Sequence, residues 1–298
     1  MSSAAATPRT RTGSIKTQRR LGIAWRLLVA LIAIFFSLFP VLLIFSTSIN
    51  PVSRVTVTQI IPDNATLDNY RQMLSDPRFP FPLWIWNSVK ISTITSVLVV
   101  GLTALAAFSF SRFRFRLRQP LLRTVLLAQV FPNILAVTAI FVILLNIGRI
   151  YPAFGLNSHA GLILVYLGGA IGFNAWLMKG FFDTIPRDLD EAAYIDGASS
   201  WYTFTRIIFP LVRPILAVIF ILTFIATYAD YLRARVLLTQ SSQYTVAVGL
   251  SLFIGDQYSQ RWNLFAAGAL MAAIPTLALF YIIQDQLQSG LTSGAVKG

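Results

Sequence analysis

The sequence predicts an all-α integral membrane protein of six transmembrane helices, and three observations carry that prediction. Of the 298 residues, 56% are hydrophobic and only 12% charged, and the mean hydropathy is +0.68; soluble domains of this length are far less apolar. Six windows of roughly 20 apolar residues, the length a helix needs to cross a hydrocarbon core, follow one another along the chain. The formal net charge is +13, yet the basic residues avoid these windows and gather in short segments between them. No continuous basic face is left to track a phosphate backbone, which sets nucleic acid aside as a partner.

The windows fall at 25–45, 84–110, 121–146, 156–178, 208–228 and 264–283. The first follows Arg9, Arg11, Lys16, Arg19 and Arg20 as a signal peptide would, but no convincing small-residue cleavage site follows it, so it reads as a retained helix. The segment 48–83 carries Asp63, Asp68, Asp76 and an apolar stretch at 79–83, and is long enough to fold on the membrane surface or meet an external partner. Lys90, near the outer end of the second window, can snorkel. Pro132 in the third window and Pro275 in the sixth remove a backbone donor where no water replaces it, so those helices are expected to bend or break. In the fourth, Gly168 and Gly172 lie four apart and predict a close helix approach. Gln129, Asn133, Asn146, Asn174, Thr223, Thr227 and Tyr228 are polar groups inside the windows that either bond a polar solute or join helices. Between the last two windows, residues 239–262 combine the partly apolar 244–250 with a turn-like Gly255-Asp256, and are expected to form a short helix and loop projecting outward.

Orientation comes from the basic flanks. With the N-terminus inside, the inner segments hold the five residues before the first window, then Arg112, Arg114, Arg116, Arg118 and Arg123, then Lys179, Arg187 and Arg206. The outer segments hold fewer: Arg54, Arg71, Arg78, Arg149, Arg233, Arg235 and Arg261. Both termini are therefore expected in the cytoplasm. The chain divides into a basic segment 1–24, a six-span domain 25–283 and a tail 284–298.

Catalysis has little to stand on. There is no Cys, His159 is the single histidine, and no His-Glu-x-x-His occurs, which removes thiolate and most metal chemistry. No Gly-rich segment ending in Gly-Lys-Ser/Thr is present, so the chain lacks a P-loop and any ATP chemistry belongs to a partner. No catalytic, cofactor-binding or metal-binding residue is expected.

The inner stretch 182–214 reads FDTIPRDLDEAAYIDGASSWYTFTRIIFPLVRP and is more than a connector. It predicts two short helices joined at a bend. Asp183 or Thr184 can cap the first, Pro186 suits an early helical position, and Asp188, Asp190 and Glu191 sit at the positive end of its dipole. Leu189, Ala192, Ala193 and Ile195 give it an apolar side. Gly197 allows the chain to turn, and a second helix starts near Ser199 or Ser200 and runs toward Phe209 before Pro210 and Pro214. The small alanines let another surface approach closely, while Glu191 and Asp196 offer directional polar contacts.

Glu191-Ala192-Ala193, then Gly197, Ile207 and Pro210, resembles the EAA loop of the membrane subunits of binding-protein-dependent ATP-binding-cassette importers. One position departs from the usual pattern, Phe209 standing for Leu. The resemblance implies the type I importer permease fold, with 182–210 as a coupling loop. In that reading Glu191, Ala192, Ala193, Asp196, Gly197, Ile207 and Pro210 couple the spans to an ATPase subunit, whose closure switches the pathway between inward- and outward-facing states. The tail 290–298 and the stretch 244–249 are similar to the maltose/maltodextrin branch of the family, and the order of the six spans and the long first outer segment are consistent with that similarity over essentially the whole chain. That similarity implies four things: a larger homologous membrane subunit, two copies of one ATPase, an external sugar-binding protein, and a bacterial inner membrane. It points to no substrate-binding residue. Importers of another oligosaccharide or a polyol share the same loop, and a membrane scaffold recruiting a cytoplasmic partner is the reading from a different class.

Overall fold

The structure, a computed structural model, describes residues 12–53, 61–130, 133–255 and 260–295. In chain order the helices are α1 (Thr12–Ser48), α2 (Asp68–Ser75), α3 (Phe81–Arg112), α4 (Arg118–Val130), α5 (Asn133–Ile150), α6 (His159–Phe182), α7 (Asp188–Ile195), α8 (Ser200–Tyr202), α9 (Phe209–Leu211), α10 (Arg213–Tyr228), α11 (Leu232–Leu237), α12 (Val246–Ser251) and α13 (Trp262–Ala295). No strand occurs among the described residues. The chain is a multi-pass integral membrane protein. Four helical segments are individually long and apolar enough to cross a bilayer, and two bent helix pairs bring the number to as many as six.

The two spans expected to bend or break at a proline have different outcomes, and a further corner opens the fifth. The third predicted span is divided into α4 and α5, whose directions differ by 107°; Pro132 itself lies outside the described residues, as do Arg9, Arg11, Arg54 and Asp256. The fifth predicted span begins later than 208. The leg Ser200–Leu211 turns through 75° before α10, because Pro210 and Pro214 bracket the corner and each lacks the donor a straight helix needs. Pro275, by contrast, leaves α13 as one helix. Tyr228 Oη donates to the carbonyl of Ala272 at 2.9 Å, within the turn Pro275 disturbs, so a neighbouring helix binds backbone there.

Buried side chains form two clusters along α3. Phe81, Trp84 and Ile91 join Leu162, Tyr166, Phe224 and Tyr228 toward one end. Val99, Ala104, Ala107 and Phe108 join Met178, Phe182, Phe204, Ile208 and Leu216 toward the other. One helix thus spans both, connecting α2 and residues 239–255 at one end to the loop 182–210 at the other.

Residues 239–255 form the expected short helix, α12, but pack against α3 instead of projecting away from the chain. Val246, Val248 and Leu250 are buried in the first cluster. Trp84 Nε1 donates to Ser241 O at 2.8 Å, Asn87 Nδ2 to Tyr244 O at 3.1 Å, and Val246 N to Ser88 Oγ at 2.7 Å. The apolar face of this segment is satisfied within the chain. Gly249 makes the packing possible, since a Cβ there would lie 2.0 Å from Trp84 Cε3. Gly249→Ala is therefore expected to destabilise by about 1–3 kcal/mol through overpacking. A thermal melt of the detergent-purified variant that overlays wild type would remove that role.

Of the paired glycines only Gly172 is a close approach: a Cβ there would meet Val125 Cγ1 of α4 at 2.6 Å, whereas Gly168 faces open space. Gln129 Nε2 reaches Gly169 O at 3.3 Å across the same α4–α6 contact. Asn174 and Thr227 bond carbonyls of their own helices, at Ala170 and Thr223. Asn146 is exposed, and the side chain of Asn133 lies outside the described residues.

Candidate functional site

The loop 182–210 is built onto the end of α3 by charges that sequence reasoning did not pair. Asp183 follows the last residue of α6, and Thr184 Oγ1 returns to Phe181 O at 2.7 Å. Neither caps the next helix as expected. The residue preceding α7 is Arg187, which makes no side-chain cap, with Pro186 one position further out. The reason is that Asp183 is already committed: Ser111 Oγ donates to its Oδ1 at 2.6 Å and Lys179 pairs with its Oδ2. Burial pushes the Asp183 carboxyl up, but the hydrogen bonds from Lys179 and Ser111 and the charges of Lys179 and Arg118 bring it, on balance, below the usual carboxylate value.

α7 is held at its first turn. Arg112 Nε lies 2.8 Å from Asp190 Oδ2, with the two side chains 7% and 11% exposed. This is an ion pair by distance without an aligned hydrogen bond between those two atoms. Arg112 Nη2 also donates to Ile185 O at 3.1 Å, and Arg187 Nη2 to Ser111 O at 3.0 Å. Burial pushes the Asp190 carboxyl above its ordinary value, and the Arg112 and Arg187 charges oppose that shift. Arg112 and Arg187 were read only as inner-flank residues and Asp190 only as a dipole partner, and Ser111 was not singled out. Nothing in the local pattern pairs them, because the contact joins residues far apart in sequence.

α7 closes with a helix stop read correctly at Gly197. Gly197 has φ +77°; its N–H donates to Tyr194 O at 3.0 Å and the N–H of Ala198 to Ala193 O at 2.9 Å. These are the two bonds of a left-handed C-terminal cap. The second helix starts at Ser200, as expected, and Ser199 caps it, its Oγ accepting from Tyr202 N at 3.2 Å. Residues 203–208 take a wider π-type turn, a local irregularity common where a helix serves function.

The expected coupling residues fall into two groups. Glu191, Ala192, Asp196 and Gly197 are exposed. Ala193 is 4% exposed, and Ile207 packs half-buried against the cluster containing Phe204 and Ile208. Pro210 is also half-buried. Of the apolar side expected for the first helix, only Ala193 faces inward; Leu189 and Ile195 are exposed, together with Tyr194, Trp201 and Tyr202. The result is an apolar and aromatic surface with Glu191 in it, fixed from behind by an ion pair: a shape suited to fitting a protein groove and transmitting its movement.

A second feature gathers the polar residues of the spans. A cleft of about 340 Å³ between α6 and α10 is lined by Tyr166, Phe173, Asn174, Thr223, Thr227 and Arg233. Arg233 pairs with Asp230 at 2.8 Å, Tyr166 Oη donates to Asp230 Oδ1 at 3.1 Å, and the guanidinium sits 4.8 Å from the Tyr166 ring centre. Amide, hydroxyl and aromatic groups side by side can hydrogen-bond and stack a polar solute. No group of three or more metal-ligating side chains occurs among the described residues.

Comparison with known proteins is consistent over the whole length. The family described as binding-protein-dependent transport system inner membrane component matches residues 99–293. The maltose/maltodextrin transport system permease protein MalG of Escherichia coli (strain K12) is 38% identical over 295 residues, covering 95% of this chain and 98% of that protein. The protein of the same name from Photorhabdus laumondii is 38% identical over 289 residues, covering 92% and 97%. Among solved structures, a chain of a bacterial ABC transporter involved in the import of the acidic polysaccharide alginate superposes with a TM-score of 0.71 at 24% identity, covering 94% of this chain and 99% of that one. That last likeness is one of fold.

Proposed function

Since the chain belongs to the family of binding-protein-dependent transport system inner membrane components, as an ABC-importer permease subunit homologous to MalG-type permeases, we propose that it forms half of the translocation pathway of an ATP-driven maltose/maltodextrin importer. It is a non-catalytic membrane subunit, and ATP hydrolysis falls to a separate ATPase partner. The assembly in this reading comprises a larger homologous permease subunit, two ATPase copies and an extracytoplasmic sugar-binding protein. Both termini face the cytoplasm of a bacterial cell, and the sequence 182–210 couples ATPase closure to alternating access. The 38% identity to permeases of that name over nearly the full chain supports the sugar.

The observation that carries the coupling role is the two-sidedness of α7: Asp190 and Ala193 face the chain's own core, while Glu191, Ala192 and Tyr194 stand exposed. Glu191→Lys should accordingly leave the melt of the isolated subunit unchanged while reducing sugar-stimulated ATP hydrolysis by about tenfold or more, the loss of one directional charged contact in a docked surface. Unaltered stimulation would take Glu191 out of the ATPase contact. The assignment as a whole is tested with labelled maltose in proteoliposomes holding this chain, its co-purifying permease, the ATPase and the binding protein. Uptake that requires all four supports the importer and the sugar. ATP hydrolysis stimulated by another loaded binding protein, without maltose uptake, keeps the importer and overturns the sugar.

A further inference from the structure

We propose that the turn joining α3 to α4 is a binding site for the headgroup of an anionic phospholipid. The turn reads Phe113-Arg114-Phe115-Arg116-Leu117-Arg118. Phe113 leaves α3 in an extended conformation, φ −88° and ψ 146°, and side chains along extended backbone alternate between opposite sides. Both phenylalanines turn back toward α3: Phe113 lies edge-on to Phe108 at 5.7 Å, and Phe115 lies 5.6 Å from Phe110. That leaves Arg114, between them, to the other side. The turn closes where Arg118 N donates to Phe115 O at 3.2 Å, bringing Arg114, Arg116, Arg118 and Gln119 around an open depression of about 540 Å³.

These arginines differ from Arg112 beside them. Arg112 is spent on Asp190 and Ile185, whereas Arg114 and Arg116 have no carboxylate partner among the described residues. Arg118 Nε is buried without a hydrogen-bond partner. Planar guanidinium forks converging on one space match the oxygens of a phosphodiester. Phe115, 40% exposed, lines the depression with the arginines, and its near neighbour in the chain, Leu117, is 61% exposed. An apolar ledge beside paired cations, at the end of a membrane-crossing helix, suits a molecule with a phosphate and acyl chains better than a free anion. The inference rests on the membrane-spanning fold and is independent of which solute is imported.

The test is native mass spectrometry of the delipidated permease complex titrated with phosphatidylglycerol, phosphatidylcholine and inorganic phosphate. Wild type should retain phosphatidylglycerol in preference to phosphatidylcholine. R114Q/R116Q should retain it about tenfold more weakly or less, while Arg71→Gln, at the far end of the molecule, should not change it. R114K/R116K should recover only part of the retention, because an ammonium keeps the charge and loses the fork. Equal retention by wild type and R114Q/R116Q would overturn the proposal, as would displacement of the lipid by millimolar-scale phosphate. Loss of the ATPase from the purified R114Q/R116Q complex with lipid retention intact would equally overturn it, by giving these arginines to the protein partner.

Discussion

Replacing Gly197 with valine is expected to abolish coupled uptake while leaving the spans folded. Gly197 sits at φ +77° with open space where a Cβ would go, so the substitution clashes with nothing. Its effect is on the backbone alone: a left-handed conformation costs an L-residue roughly 1–2 kcal/mol and a β-branched one more. The two carbonyl bonds from Gly197 and Ala198 to Tyr194 and Ala193 close α7 only in that conformation. A residue that leaves it redirects the chain between Glu191 and the helix beginning at Ser200. The expected order of sugar uptake in proteoliposomes is therefore Gly, then Asn, which tolerates positive φ, then Ala, then Val. A valine variant with wild-type uptake, or an asparagine variant as impaired as valine, would contradict the backbone explanation.

That bend was legible in the sequence because it depends on one residue type at one spacing. The spans were legible for a similar reason, since each is a local run of apolar residues. What the pattern could not distinguish was the direction in which a short apolar element faces. Val246, Val248 and Leu250 look alike whether they meet an external protein or the chain's own Trp84, and the deciding contact, Gly249 against the indole, joins distant parts of the chain. The proline corners show the same limit from another side. Loss of a donor is certain at Pro275, yet α13 continues through it, with the hydroxyl of Tyr228 bonded to the adjacent turn. The loop 182–210 was singled out by its motif, whereas the charges holding it to α3 were not. A motif records what a partner recognises; the support beneath it is written in long-range pairs.

That support yields the second large effect. Arg112→Met is expected to destabilise the subunit by about 3–5 kcal/mol, because it leaves the Asp190 carboxylate buried with its nearest cation removed. Asp190→Leu should be milder, since Arg112 retains its bond to Ile185 O. Joined as R112M/D190L, the two changes should restore much of the melting temperature, as replacement of a buried ion pair by apolar groups of similar size often does. Coupling should not recover with it. Arg112 ties α7 to the helix that runs through both hydrophobic clusters, and two side chains in van der Waals contact resist sliding less than a guanidinium bound to a carboxylate and a carbonyl at once. The informative comparison is the ratio of sugar imported to ATP hydrolysed, measured beside the melt. A double variant that is stable but imports less sugar per ATP separates transmission from folding. One that recovers both would make the pair a fold element alone, and an R112M variant matching wild type in both would remove the ion pair from the mechanism.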